Sequence, residues 1–496
     1  MSRVRRMGLG LVIVVVLARS FAALYWADVH FDADQAVTGL MAKHVAEGRA
    51  FPVFQYAHRY VLVLEAWLAA PLAAVAEGSI PLLKSVPVAL NVATSALLYS
   101  TLTSTTALGP VVALFATAPL AVPGPPTTRG LTDAIGMNIE PLLFALVLWW
   151  WRERPVALGI AAALAVKNRE FALYAVVALL VVDLLRDRSA KLWRGRIVAL
   201  VAFAVTWSSV DVLTQYSSPF GPGTTVAMVG GSEDTLPTVT VAACVDLRLI
   251  PRDVWRVVTE LLPYQFGVST GPWSTDRVYG ADPQSVPWLW APLVAVLAFG
   301  MLRGLRRAWR HGATPMTWFG LYLVLVGLLA VLVYAVTRCG HVSVLTLRYT
   351  LLSLLAPVGA LTLGLEREPR SWARGLLISV VALWVGMCAL AHASLVRGFI
   401  ESPPRGAYRQ LAAYLSAQDV HFIVTDYWTG YHVAFLTGER IKALTDYQRI
   451  HDYTLAVRAN LDRAVEVRRD RDERCDGAVV VARFYVCPPN GSLRQH

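Results

Sequence analysis

The chain has 496 residues, of which 56% are apolar and 16% charged, and its mean hydropathy is +0.51. Soluble chains are about a quarter charged. The composition therefore excludes a disordered chain and an ordinary soluble enzyme, and leaves a polytopic protein of the lipid bilayer. The 45 Lys and Arg outnumber the 34 Asp and Glu, a net +11. Much of that excess lies in short loops between apolar runs, where it orients membrane helices; it does not point to nucleic acid as a partner.

In chain order, Arg3, Arg5 and Arg6 precede an apolar run over 8–27 that lacks a small-x-small cleavage pattern. This reads as a retained first span with a cytoplasmic start. Further apolar runs cover 61–77, 86–107, 109–122, 139–151, 155–167, 171–185, 197–214, 288–302, 316–336, 349–365 and 376–396. Arginine gathers in four stretches, Arg152 to Arg154, Arg186 to Arg196, Arg303 to Arg310 and Arg367 to Arg374. The positive-inside rule puts all four in the cytoplasm, so an even number of spans separates each from the next. Five runs precede Arg152, so one of them does not cross. The run 61–77, with Glu65 and Pro71, is expected to lie along the membrane instead.

The expected fold is thus an α-helical polytopic membrane protein of about 11 transmembrane helices. Juxtamembrane helices occupy its first outer loop, and a small α/β C-terminal extracytoplasmic domain completes it. The transmembrane domain is residues 1–396, with outer loops 28–84 and 215–286; the tail is 397–496. In this map the N-terminus is cytoplasmic and the C-terminus extracytoplasmic, in the cell (plasma or inner) membrane. Within the tail, 404–418 reads as helix, and His421 to Trp428 and Gly477 to Cys487 as strands. Arg252 to Leu262 reads as a surface helix. Four cysteines fall outside in this map, with Cys475–Cys487 the favoured disulfide, Cys244–Cys339 the weaker one, and Cys388 within a span. No internal repeat is present, which argues against an inverted-repeat transporter.

Directly after the first span come Asp32 and Asp34, two carboxylates at the membrane edge. Such a pair can bind a cation or take a proton, and mutual repulsion raises the pKa of one member. A plain helix cap is the structural alternative. A helix over 35–47 follows, then Gly48, Phe51-Pro52 and Tyr60 before an apolar helix. This pattern resembles the start of the superfamily C polytopic glycosyltransferases, among them protein O-mannosyltransferases and lipid A aminoarabinose transferases and their bacterial relatives. The resemblance is strong over 8–105, topological over 109–396 and weak beyond. One departure is that relatives carry Asp-Glu or Glu where this chain has Asp-Ala-Asp. Asp34, directly before the helix, is the expected base and Asp32 its partner.

The resemblance implies an integral-membrane glycosyltransferase, a hexosyl- or pentosyltransferase. It would move a sugar from a polyprenyl-phosphate donor to a lipid, polysaccharide or protein acceptor of the cell envelope, on the extracytoplasmic side and with inversion. A transporter or flippase of lipid-linked sugars is the alternative. The Arg348-Tyr349 opening of a late span resembles the family motif that contacts lipid phosphate. Lys167 and Arg169 fall at the outer face by parity, and Arg59 lies in the acidic loop; all three are candidate phosphate ligands. His58 and Tyr60 are candidate acceptor contacts. Asp133 or Glu140 would match a second acidic position of the family. The loop 215–286 would cover the cavity. Asp32 and Asp34 are also the candidate ligands of a divalent metal, which family members differ in needing.

Overall fold

The computed structural model describes the chain except residues 1, 59–60, 105–107, 188, 225–243, 269–286, 470–476 and 488–496. Helices α1 (Arg3–Tyr25), α4 (Ile80–Ser104), α5 (Pro110–Ala121), α7 (Glu140–Trp151), α8 (Pro155–Asn168), α9 (Leu173–Arg186) and α10 (Ala190–Thr214) build the first part of an apolar bundle. Helices α13 (Pro287–His311), α14 (Pro315–Val336), α15 (Leu355–Leu365, led in by a 3-10 stretch from Val344) and α16 (Ser371–Glu401) build the rest. Among the described residues six helical segments are long and apolar enough to cross a membrane, and shorter apolar helices accompany them. Small residues let these helices approach closely, as at Gly320 and Gly359, which lie against each other on α14 and α15.

The run expected to lie along the membrane forms only the short α3 (Leu64–Ala73). It packs on α2 (Ala33–Ala46), burying Glu65, Ala66, Ala69 and Ala70 and exposing Trp67 and Leu68. Several basic stretches are not loops. The arginines from 303 to 310 form the last turns of α13, and α10 already begins at Ala190. Arg307 donates from the side of α13 to the carbonyls of Leu363, Gly364 and Glu366 at 2.9–3.0 Å. It thereby caps the orphan C-terminus of α15, where a cation is favoured. Arg303 pairs with Glu368 at 2.7 Å in the same cluster. Arg196 similarly joins Asp183 and the Arg152 carbonyl, each at 2.7 Å.

Helix α6 (Pro125–Thr132) sits inside the bundle. Buried Arg19 of α1 donates to Asn91 at 2.7 Å, and Asn91 donates to the Leu131 carbonyl at 2.7 Å. Helix α11 (Ile250–Arg256) continues through 257–261 into α12 (Leu262–Gln265), and the segment expected as a surface helix is not one throughout, because Val257 and Leu261 are buried in the bundle's core. Cys244 and Cys339 form a disulfide that ties the start of this segment to the end of α14. Cys388 is free and buried in α16. Cys487 is disulfide-bonded, and Cys475, its expected partner, lies outside the described residues.

The tail is an α/β unit with strand order β2-β1-β3-β5-β4. It contains α17 (Ala407–Ala417), β1 (Phe422–Val424), α18 (Tyr427–Leu436), β2 (Lys442–Leu444), α19 (His451–Arg458), β3 (Val465–Arg468), β4 (Val479–Val481) and β5 (Phe484–Cys487). β1 pairs in parallel with β2 and β3, while β5 runs antiparallel to β3 and β4. Two sequence expectations change here. His421 to Trp428 is not one strand, because Asp426 accepts from the Trp428 and Thr429 amides at 2.9 and 3.1 Å and starts α18. Gly477 to Cys487 folds into a hairpin that turns at Ala482, whose φ is +53°.

The tail does not stand apart. Tyr427, Tyr431 and Phe435 share one hydrophobic core with Ala33, Val37 and Leu40 of α2. Gly39 permits this contact, since a Cβ there would collide with the Phe435 ring.

Candidate active site

The acidic motif lies under this tail. Asp32 caps α2, accepting from the Gln35 amide at 3.1 Å, so the capping alternative holds for it. It is not a solvated cap, however. Burial, with the nearby charges of Asp34 and Asp133, pushes its carboxyl up to about 6. Asp34 has a different environment. Its Oδ1 accepts from the Tyr427 hydroxyl at 2.7 Å and lies 3.8 Å from Arg449, while its Oδ2 is 3.7 Å from Arg348. Two elements of the tail and one late span therefore converge on a single carboxylate of the first loop.

Of the two candidate second acids, the structure brings Asp133 to the motif. Asp133 lies 3.7 Å from Lys84, which also donates to the His30 carbonyl at 3.1 Å. Burial raises Asp133 as well, against the pull of Lys84, Arg129 and Arg348. Gln35 locks the two acidic segments together, donating to the His30 carbonyl at 2.7 Å and accepting from the Ala134 amide at 3.2 Å. Glu140 does not join this group. It is buried beside Glu65, whose carboxylate accepts from the Gly136 amide at 2.7 Å. This acid pair supports the 133–138 turn from behind, where Gly136 takes a φ of +74°.

The remaining candidates divide. Arg348 reaches the acidic group, and Tyr349 hydrogen-bonds to Arg348, its ring also met by the Arg338 guanidinium at 4.1 Å and that of Arg169 at 5.5 Å. Lys167 pairs with Asp211 and lies 3.9 Å over the Trp207 ring, so its charge is already used. Its turn is nonetheless at the site's end of the bundle, because the Leu62 amide donates to the Lys167 carbonyl at 3.3 Å. Burial holds His58 down to about 3, which makes it a neutral contact. Arg59 and Tyr60 lie outside the described residues, as does most of the loop 215–286.

The donor set does not fit the expected metal at Asp32 and Asp34. Both Asp34 oxygens face guanidinium or hydroxyl donors, and among the described residues no group of three His, Cys, Asp or Glu could hold an ion. The sequence reading missed Gln35, Lys84, Arg129, Tyr427 and Arg449. Lys84 carried a usable signal, an ammonium inside an apolar helix. Tyr427 and Arg449 carried none, lying about 400 residues along the chain from Asp34.

A second set of contacts fastens the tail. Glu439, in a turn with φ +68°, accepts from Tyr453 at 2.9 Å and lies 2.8 Å from the His44 Nε2. Arg49 also bonds to it, and Arg409 holds Asp28 at 2.8 Å. Burial alone would raise Glu439, but the bonds from His44 and Arg49 bring it down to about 2.

No family model matches the chain, and no curated protein matches it. Solved structures do. ArnT from Cupriavidus metallidurans bound to undecaprenyl phosphate has a TM-score of 0.59 at 13% identity, covering 98% of this chain and 99% of that one. Its apo state has a TM-score of 0.58 at 13% identity, covering 98% of each chain. The oligosaccharyltransferase AglB from Archaeoglobus fulgidus, in complex with an inhibitory peptide and a dolichol-phosphate, has a TM-score of 0.51 at 11% identity, covering 94% of this chain and 69% of that one. The chain therefore shares its fold with ArnT and AglB.

Proposed function

We propose that the protein transfers a sugar from a polyprenyl-phosphate donor to a cell-envelope acceptor by a single inverting displacement. The observation that carries this reading is the grouping of Asp32, Asp34 and Asp133 with Lys84 and Arg348 at one end of an apolar bundle. A lipid tail can stay in the bilayer beside that end while its phosphate meets cations. The shared fold with proteins solved with undecaprenyl phosphate and dolichol-phosphate supports a donor of that class.

In this mechanism an acceptor hydroxyl attacks the anomeric carbon. The bond from that carbon to the phosphate oxygen breaks, and the lipid phosphate leaves with the electron pair. Lys84 and Arg348 stabilise the charge that develops on the phosphate. The hydroxyl proton passes to a carboxylate, and Asp32 suits this role better than Asp34. An acid near pH 6 is poised to accept a proton at neutral pH. Asp34, held by two guanidiniums and a hydroxyl, is better suited to hold Arg348, Arg449 and Tyr427 in register. The eleven-span map puts this chemistry on the extracytoplasmic side.

The test is transfer of radiolabelled sugar from a polyprenyl-phosphate donor by the purified full-length protein. Labelled product with inverted anomeric configuration is expected. Movement of the labelled lipid across proteoliposomes, without product under any acceptor, would instead establish a transporter.

A further inference from the structure

We infer that α13 and α16, at the end of the bundle farthest from the acidic motif, form a binding surface for an anionic phospholipid, with Arg306, Arg310 and Arg374 facing its headgroup phosphate and Trp309 and Trp372 beside them. The surface is remote from the transfer site. The 22 residues of α14 span about 33 Å, from Pro315 beside the end of α13 to Val336, beyond which the chain returns to Arg348 and Asp34.

Across 302–316 and 364–375 the chain has seven arginines and two acids, and all of these residues are described. Both acids are used internally. Glu368 holds Arg303 and Arg307, and buried Glu366 accepts from Thr314 and, at 3.1 Å, from Thr317. Arg306, Arg310, Arg367, Arg370 and Arg374 remain exposed, and among the described residues none of their guanidiniums meets a carboxylate. Arg303, Arg306 and Arg310 are spaced three and four apart, so they share one stripe of α13. The stripe faces α16, because the Arg303 guanidinium lies 5.5 Å from the Trp372 ring, and Phe299, a turn deeper, meets the same ring at 6.0 Å. The two helices touch there, Gly300 lying against Leu377.

Orientation in a bilayer requires only cations near span ends. Here unpaired cations converge on two adjacent helices around two large exposed indoles. Trp309 is 92% exposed and Trp372 56%. Indoles left bare in this way belong at the boundary between headgroups and hydrocarbon. Farther into the bundle, Leu302 of α13 and Leu376 and Leu383 of α16 are also exposed. Cations and indoles followed by leucines match a phosphate headgroup followed by its acyl chains. A soluble acidic partner would meet the charge and leave the leucines and indoles uncovered, so the layering favours a lipid.

Each basic side chain at an anionic membrane surface contributes about fivefold to association, so loss of two should cost about thirtyfold. The experiment titrates cardiolipin onto the full-length protein in neutral detergent and counts bound lipid by native mass spectrometry, with phosphatidylcholine as the neutral control. Wild type should bind cardiolipin in preference to phosphatidylcholine. R306Q/R310Q should weaken the tightest cardiolipin step about thirtyfold. Its melting without added lipid should match wild type, since neither guanidinium holds a carboxylate within the described chain. R306K/R310K keeps the charge and should retain most of the affinity. K191Q/R194Q removes two exposed cations from α10 at the same end of the bundle and should leave that step near wild type. A loss in K191Q/R194Q equal to that in R306Q/R310Q would mean diffuse attraction and overturn the site. Unchanged cardiolipin binding in R306Q/R310Q would overturn it as well.

Discussion

Asp32→Asn should cut the transfer rate while leaving the protein at least as stable. Asparagine keeps the shape and can still accept from the Gln35 amide, so the start of α2 is preserved. What it removes is a buried charge. The Asp32 carboxyl is raised from 3.8 to about 6 on folding, which penalises its charged form by about 3 kcal/mol. For an acid raised in this way, the folded state is penalised above pH 6, and the penalty fades as pH falls toward 3.8. Removing the charge lifts the penalty at neutral pH, so melting should not fall. Losing a general base costs about 10²–10⁴-fold in rate. The wild-type kcat/KM should also decline about tenfold per pH unit below 6, since a phosphodiester donor has no proton of its own to titrate there. The assay is single-donor turnover between pH 5 and 8 alongside thermal melting. Turnover near wild type in the variant, or the same acid limb persisting without Asp32, would refute the assignment of the base.

The tail clamp gives a second pH signature. Glu439 drops from 4.5 to about 2, so its contribution of about 3 kcal/mol is fully present above pH 4.5 and is lost as pH falls toward 2. Hydrogen exchange in α18 should therefore rise over that window in the wild type, and should already be raised at neutral pH in Glu439→Gln; unchanged exchange in both would remove the clamp. Topology can be read by thiol labelling in intact cells. A cysteine replacing exposed Ser416 of α17 should react with an impermeant reagent, whereas one replacing exposed Ala190 should react only after the membrane is opened. The reverse pattern would invert the map and put the site in the cytoplasm.

Much of the fold was legible because a membrane imposes simple rules. Apolar length located most helices, and the run 61–77 forms only the short α3, packed on α2 and α4. Where those rules slipped, the reason is local. Arginines near 303–310 were read as a loop, yet a helix end is where such cations find carbonyls, as Arg307 does. The strand expected through Trp428 failed because Asp426 competes for the backbone as a helix cap. Spacing was equally silent about Glu140, whose acid character fitted a site but whose partner is Glu65.

The two carboxylates of the acidic motif show what a linear pattern leaves out. Asp32 and Asp34 stand two residues apart, so spacing treats them as equivalent and position beside the helix favoured Asp34. Their difference arises from partners far away in the chain. Arg348 arrives from a late span, and Tyr427 and Arg449 arrive from the tail, and all three converge on Asp34. Asp32 is left with a backbone amide, burial and the repulsion of its neighbours. In the proposed mechanism one carboxylate holds cations, and the other keeps the basicity that proton transfer needs. A motif can nominate such a pair, but only the packing of the tail on α2 divides the labour between its members.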